Sequence, residues 1–199
     1  MNMFDRPLLL LSSYVLGSVP FGVLAARMRG VDLKKTGSGN IGATNVLRGV
    51  GKGAALFTLL GDCLKGAAAV LMAGRLGFAA PWQGLAGLCA VLGHDFSVFL
   101  GGRGGKGVAT GLGVAVVIAP LAAVFAVGSW LAVAFLTRYS SLAALTAFLL
   151  LPLFALGTGA GRTAALTAGA LTLLILLRHT GNIKRLVEGR ERKIGEKIS

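Results

Sequence analysis

The sequence predicts an all-α polytopic membrane protein with seven transmembrane helices, an outside N-terminus and a cytoplasmic C-terminus. Three observations predict it. The 199-residue chain is 55% hydrophobic and only 14% charged, whereas soluble domains run near 45–50% and about 25%. Long apolar runs recur from Pro7 to Leu177. The basic residues outnumber the acidic ones by 20 to 7, and they collect between runs rather than along the chain. A soluble globule of this length cannot hide that much apolar surface, and the mean hydropathy is +0.79. The net charge of +13 would point to nucleic acid in a soluble protein. At membrane boundaries it is an orientation signal instead, so the partners expected are membrane lipids and no nucleic acid.

The apolar runs are Pro7–Ala26, Gly53–Gly74, Gly77–Leu100, Val108–Thr137, Leu142–Gly157 and Thr163–Leu177. A hydrocarbon layer of roughly 30 Å needs about 20 helical residues. The fourth run is long enough to be one tilted helix or two short ones meeting at Ala119-Pro120. Charge decides. Arg27, Arg29, Lys34, Lys35, Arg48 and Lys52 follow the first run. Arg178, Lys184, Arg185, Arg190, Arg192, Lys193 and Lys197 follow the last. The positive-inside rule places both groups, with Arg103 and Lys106, in the cytoplasm. That is possible only if Val108–Thr137 crosses twice. The first of its two helices is then short for a span, about 13 residues and roughly 20 Å.

This topology makes one domain of residues 1–199, with polar segments 36–48, 93–110 and 178–193 on the cytoplasmic face. The first contains Ser38, Gly39, Asn40, Thr44 and Asn45, short hydrogen-bonding side chains among glycines, and Arg48, whose guanidinium forks onto phosphate. A helix N-cap with a solvated loop is the plainer alternative. In the second, Gly101-Gly-Arg-Gly-Gly-Lys-Gly107 runs into an apolar helix. Successive glycine amides at a helix N-terminus, with Arg103 and Lys106 adding charge, suit an anion. It is not a Walker A loop: Leu100 and Gly107 replace the first glycine and the Ser/Thr, and no strand precedes it. The third segment, with His179 and Asn182, reads equally as a ligand site or as a basic tail on anionic lipid.

Within the second run, Asp62 and Lys65 stand at i,i+3 and are expected to form a structural ion pair facing the bundle interior. His94 and Asp95 point differently on a helix and are no dyad by themselves. Cys63 and Cys89 lie in apolar runs without CxxC or Cys/His spacing, so neither a disulfide framework nor a metal site is expected.

Together, GSGNIGATNVLR at 37–48, GHDFSVFLGGRGGKGVAT at 93–110 and RHTGNIKRLVEGRERK at 178–193 resemble the bacterial acyl-phosphate-dependent glycerol-3-phosphate acyltransferase family. Gly17-Ser-Val-Pro-Phe-Gly22 and Asp62/Lys65-Gly66 extend the likeness over nearly the whole chain. The resemblance implies a seven-helix inner-membrane enzyme without cofactor. Its substrates would be acyl phosphate and sn-glycerol 3-phosphate, its products lysophosphatidic acid and phosphate. It further implies essential roles for Ser38 and Arg48, a phosphate-binding loop at Gly104, Gly105 and Lys106 flanked by Arg103 and Gly107, active-site roles for His179 and Asn182, and a structural Glu191. Ser97, Gly102 and Arg103 depart from the family pattern, which has a proline, an aromatic and a lysine there.

The residues suit that chemistry independently. A basic, glycine-lined boundary holds two phosphate heads while an acyl tail stays in lipid. Acyl phosphate is already activated, so proximity and charge neutralisation suffice. The proton of the acceptor hydroxyl leaves to His179 or to a substrate phosphate oxygen; the resemblance favours the substrate. A transporter of anionic phosphates is the other class, but its inverted repeats and midplane site do not match motifs that occur once each at one boundary. An HxxxxD acyltransferase is excluded, because Phe99 and Lys184 stand five after the two histidines.

Overall fold

The computed structural model describes residues 4–196; Lys197, counted above with the basic tail, lies outside them. All regular structure among these residues is helical. The backbone divides into two compact units, one running to Val114 and the other Ala115–Glu196.

In the first unit, helix α1 (Asp5–Ser18) breaks at Val19–Pro20 and resumes as α2 (Phe21–Arg27). Proline has no N–H to continue the helix. The two pieces still form one apolar stretch of 23 residues. A 3-10 turn, Leu33–Lys35, is capped by Asp32, whose Oδ1 accepts the Lys34 N–H at 3.0 Å. Helix α3 (Ala43–Gly49) is short, and α4 (Lys52–Arg75) and α5 (Ala80–Asp95) are long. After α5 the chain turns through a second 3-10 turn, Val98–Leu100, and the glycine loop into α6 (Val108–Ile118).

Small residues set how closely these helices cross, as expected where dispersion rather than water drives packing. A Cβ on Gly17 would lie 2.0 Å from the Ala90 carbonyl oxygen, and one on Gly93 would lie 2.1 Å from that of Tyr14. Helices α1 and α5 therefore touch backbone to backbone. The same happens between α4 and α6, where a Cβ on Gly66 would strike the Thr110 carbonyl and one on Gly113 that of Cys63. The Cys63 thiol donates to the Ala109 carbonyl at 3.1 Å; Cys63 and Cys89 are both free thiols.

The second unit holds α7 (Pro120–Thr137), α8 (Ser140–Gly157), α9 (Arg162–Arg178) and α10 (Thr180–Val187). Its interior is built on alanines such as Ala143, Ala147 and Ala168, with Leu151 and Leu171 filling between them. The Thr172 hydroxyl bridges α9 to the Phe148 carbonyl of α8 at 2.5 Å. Phe135 and Leu136 lie 86% and 78% exposed, which suits lipid and not water.

The break expected at Ala119-Pro120 is present: α6 ends at Ile118 and α7 begins at Pro120. Among the described residues, five helices are long and apolar enough to cross a membrane, and six if the bent pair α9–α10, which turns by 63°, counts as one. The protein is therefore an integral membrane protein of mainly long apolar helices. Helix α6 has 11 residues, about 16 Å at 1.5 Å per residue, shorter than the 13 expected. The glycine loop before it is not helical and lends it no length.

Candidate active site

The first polar segment is organised by Asn45. Its side chain is buried in α3 and makes three contacts back to the loop: Nδ2 donates to the Thr36 carbonyl at 3.0 Å and the Asn40 carbonyl at 2.8 Å, and Oδ1 accepts the Ser38 N–H at 2.9 Å. Asn40 Oδ1 in turn accepts the Gly42 N–H at 2.9 Å. Gly37 and Gly39 take φ of 59° and 68°, a region that favours glycine. The candidates Asn40 and Asn45 thus shape the loop with their amides. The Ser38 side chain is left exposed, and Arg48 is half-buried one turn on from Asn45.

The second segment rests on the end of α5. The amides of Gly102, Arg103, Gly104 and Gly105 donate to the carbonyls of Ser97, Leu100, Asp95 and His94, at 2.9, 3.3, 3.1 and 2.9 Å. This corrects the reading of Gly104 and Gly105 as amide donors in an anion nest: their N–H groups are turned into the protein. The need for glycine there is steric. A Cβ on Gly104 would lie 1.9 Å from the His94 carbonyl oxygen, and one on Gly105 would lie 2.1 Å from His94 Nε2. Lys106 is half-buried where the loop meets α6, Gly107 is buried, and Arg103 is exposed. Leu100 packs on the apolar cluster of Leu33, Ile41 and Val46, which joins this loop to the first one.

Two departures from the family pattern acquire explanations. The Ser97 hydroxyl donates to the Ser18 carbonyl at 2.6 Å, tying the loop to the break after α1. Gly102 adopts φ 77°, which an aromatic side chain would strain.

Asp62 and Lys65 pair at 2.7 Å with both side chains almost fully buried. His94 joins them, its Nδ1 2.9 Å from Lys65 Nζ.

In the second unit, His179 is buried at the bend between α9 and α10, and its Nδ1 contacts the Ile175 carbonyl at 2.8 Å. A carbonyl only accepts, so Nδ1 carries a proton. Asn182 Nδ2 and Ser141 Oγ both donate to Glu191 Oε1, at 2.6 and 2.7 Å, and Arg185 Nε donates to Oε2 at 2.7 Å. Burial pushes the Glu191 carboxyl up, but these three hydrogen bonds and the Arg185 charge outweigh it and hold the group below its ordinary range. The tail continues back to the α7–α8 turn, where the Ile194 N–H donates to the Arg138 carbonyl at 2.7 Å. Glu191 is thus a tie between elements.

A model of the family described as glycerol-3-phosphate acyltransferase matches residues 7–189. The chain belongs to that family. Named glycerol-3-phosphate acyltransferases from Aromatoleum aromaticum and Geobacter sulfurreducens are 53% and 44% identical to it. The alignments cover 94% and 96% of this chain and 96% and 98% of theirs. Two crystal structures of PlsY (YgiH), an integral membrane glycerol 3-phosphate acyltransferase, are each 40% identical and cover 96% of both chains. Their TM-scores are 0.91 for a glycerol 3-phosphate form and 0.89 for a lysophosphatidic acid form. As a member of this acyltransferase family, the chain is an acyltransferase that acts on glycerol 3-phosphate.

Sequence reasoning about this acyltransferase weighed His94 only as a dyad with Asp95 and did not single out Ser141. For His94 a signal existed: a buried lysine has three donors to satisfy, and Asp62 alone does not satisfy them. For Ser141 there was none, because its partner Glu191 lies far along the chain.

Proposed function

We propose that the protein transfers a fatty acyl group from acyl phosphate to the 1-hydroxyl of sn-glycerol 3-phosphate, giving lysophosphatidic acid and phosphate, the first acylation in phospholipid synthesis. The observation that carries this reading is the packing of Leu100 against the buried cluster that contains Ile41 and Val46. It sets two phosphate-suited segments side by side, one with Ser38 and Arg48 and the other with Lys106. The glycerol 3-phosphate and lysophosphatidic acid forms of the similar solved structures support the same acceptor and product.

The acceptor hydroxyl oxygen attacks the acyl carbonyl carbon, and the bond from that carbon to the bridging phosphate oxygen breaks. Phosphate leaves with the electron pair. The hydroxyl proton passes to His179 Nε2 or to a phosphate oxygen. Arg48 and Lys106 offset the phosphate charges, Ser38 donates a hydrogen bond to a phosphate or carbonyl oxygen, and Asn182 orients the acceptor. Arg103 and Gly107 flank the loop, and Thr44 opens α3 beside Arg48. No cofactor enters.

The whole chain acts as one domain of seven crossings in a bacterial inner membrane, N-terminus outside and C-terminus inside, with its polar segments facing the cytoplasm. Helix α6 is the short crossing, and the bilayer thins to meet it. The test is purified protein in nanodiscs given a long-chain acyl phosphate and glycerol 3-phosphate, with acyl-CoA as the control donor. Lysophosphatidic acid forms from the first donor and not the second. Absence of product with acyl phosphate in every lipid and detergent tried overturns the reading.

A further inference from the structure

Lys65 lies in the middle of α4, far in sequence from either polar loop, and its ammonium has three N–H donors. The Val19 carbonyl at 2.8 Å and His94 Nδ1 at 2.9 Å accept from it, and Asp62 Oδ1 forms an ion pair with it at 2.7 Å. The side chains of Lys65, Asp62 and His94 are 1%, 2% and 4% exposed. Such an ammonium is a three-way joint. It joins the Phe21 N–H on the Val19 carbonyl at the break before Pro20, neutralises Asp62 and grips the ring of His94. Asp62 Oδ1 stands farther from that ring, 3.4 Å from Nδ1, so the lysine is its nearer partner.

With Lys65 donating to Nδ1, the ring carries its proton on Nε2. That end of the ring is the surface on which the glycine loop sits: the Nε2 atom would lie 2.1 Å from a Cβ on Gly105. The main chain of the same residue and its neighbour holds the loop as well, through the His94 and Asp95 carbonyls that accept from Gly105 and Gly104. The His94 ring and the main chain of His94 and Asp95 therefore both lie against the loop that ends in Lys106.

We propose that Lys65, by fixing the His94 ring, is a positioning residue for the loop Gly104–Lys106 and so for the phosphate of glycerol 3-phosphate. The second half rests on the reading that this loop binds the acceptor; the first half does not. Neither residue touches substrate in this account.

The test uses the full chain in nanodiscs and reads two quantities: hydrogen exchange of segment 101–107, and KM for each substrate with a long-chain acyl phosphate as donor. His94→Leu leaves the α4 pair in place and is the main variant; Lys65→Met removes the cation from Asp62 and is read only for exchange. In both, exchange of the loop rises. In His94→Leu, KM for glycerol 3-phosphate rises about tenfold or more while KM for the acyl donor is unchanged. His94→Asn, whose Oδ1 replaces Nδ1 as the acceptor for Lys65, leaves the space at Gly105 empty and so restores neither readout alone. Combined with Gly105→Ala, whose methyl fills part of that space, it brings both back toward the parent. Unchanged loop exchange in His94→Leu overturns the proposal, as does an equal rise in both KM values or full restoration of both readouts by His94→Asn alone. Raised exchange with normal glycerol 3-phosphate KM in both His94→Leu and Lys106→Ala leaves the positioning intact and refutes the loop as the acceptor site.

Discussion

The Asn182 amide donates to Glu191 Oε1 at 2.6 Å, across the turn that follows α10. This bond sets which way Asn182 faces. The same oxygen accepts from Ser141 at the start of α8, and Arg185 engages the other oxygen. One carboxylate thus fixes the third polar segment to a helix outside it.

Glu191→Ala should remove this tie on Asn182 and undock the tail. The loss of this network costs on the order of 1–3 kcal/mol, with the Arg185 part discounted because that side chain is 43% exposed. A melt of the purified variant against the parent measures it. Glu191→Gln keeps an acceptor for Asn182 and should lose less.

The same carboxylate gives a pH dependence of defined sign. Its folded value lies below the ordinary 4.5, so its contribution to stability is fully present above that value. It disappears as pH falls through the lower, folded value. An acid titration of thermal stability should therefore show a downward step in the parent below the ordinary carboxylate range. In Glu191→Gln the step should be absent; an identical step in both would assign it to other carboxylates.

Much of this was legible in the sequence because it follows from local pattern. The apolar runs gave the long helices, Pro120 gave the break between α6 and α7, and i,i+3 spacing gave the Asp62–Lys65 pair. What was not legible depends on contacts between distant segments. The amides of Gly104 and Gly105 could face a ligand or the protein, and only the placement of α5 decides. Ser97 and Ser18 meet because Gly17 and Gly93 let α1 and α5 approach, and nothing near Ser97 in sequence announces it.

The glycine loop yields a prediction different from a simple ligand cradle. Gly104→Ala meets a backbone oxygen, which cannot swing aside, whereas Gly105→Ala meets the end of a side chain. Gly104→Ala should therefore lower both yield and melting temperature, and Gly105→Ala should fold but raise KM for glycerol 3-phosphate. Lys106→Ala should lower kcat as well, by tens to about a thousandfold, for a charge-assisted contact of roughly 2–4 kcal/mol. Normal kinetics in folded Lys106→Ala would remove the loop from the site.

Topology can be checked with single cysteines after replacing Cys63 and Cys89 by alanine. Gly102, Gly159 and Gly195 are poor positions, because all three have positive φ. Their exposed neighbours Arg103 and Arg162 avoid that, as does Arg190 in the tail. Cysteine at 103 or 190 should react only with reagent that reaches the cytoplasm, and cysteine at 162 only from outside. Labelling of position 190 from outside would mean that Val108–Thr137 crosses once.

Ser38 should act as a hydrogen-bond donor and never carry the acyl group. A serine nucleophile needs a base in reach and a third group orienting that base. His94 cannot be that base: it is buried and its Nδ1 is held by Lys65. His179 Nδ1, the nitrogen that a triad carboxylate would hold, is engaged by the Ile175 carbonyl. The loop around Ser38 is also wrong for a nucleophile elbow, since the chain enters it from a 3-10 turn and not from a strand. A serine ester would moreover be less activated than the acyl phosphate that formed it. Asn45 fixes the Ser38 main chain at 2.9 Å, so the hydroxyl is presented from a braced loop, as a donor requires. Ser38→Ala should lose most activity, and Ser38→Thr should keep part of it. Rapid quench with intact-mass measurement should find no chain heavier by one acyl group. An adduct on Ser38 that forms and decays at the turnover rate would instead establish a ping-pong mechanism.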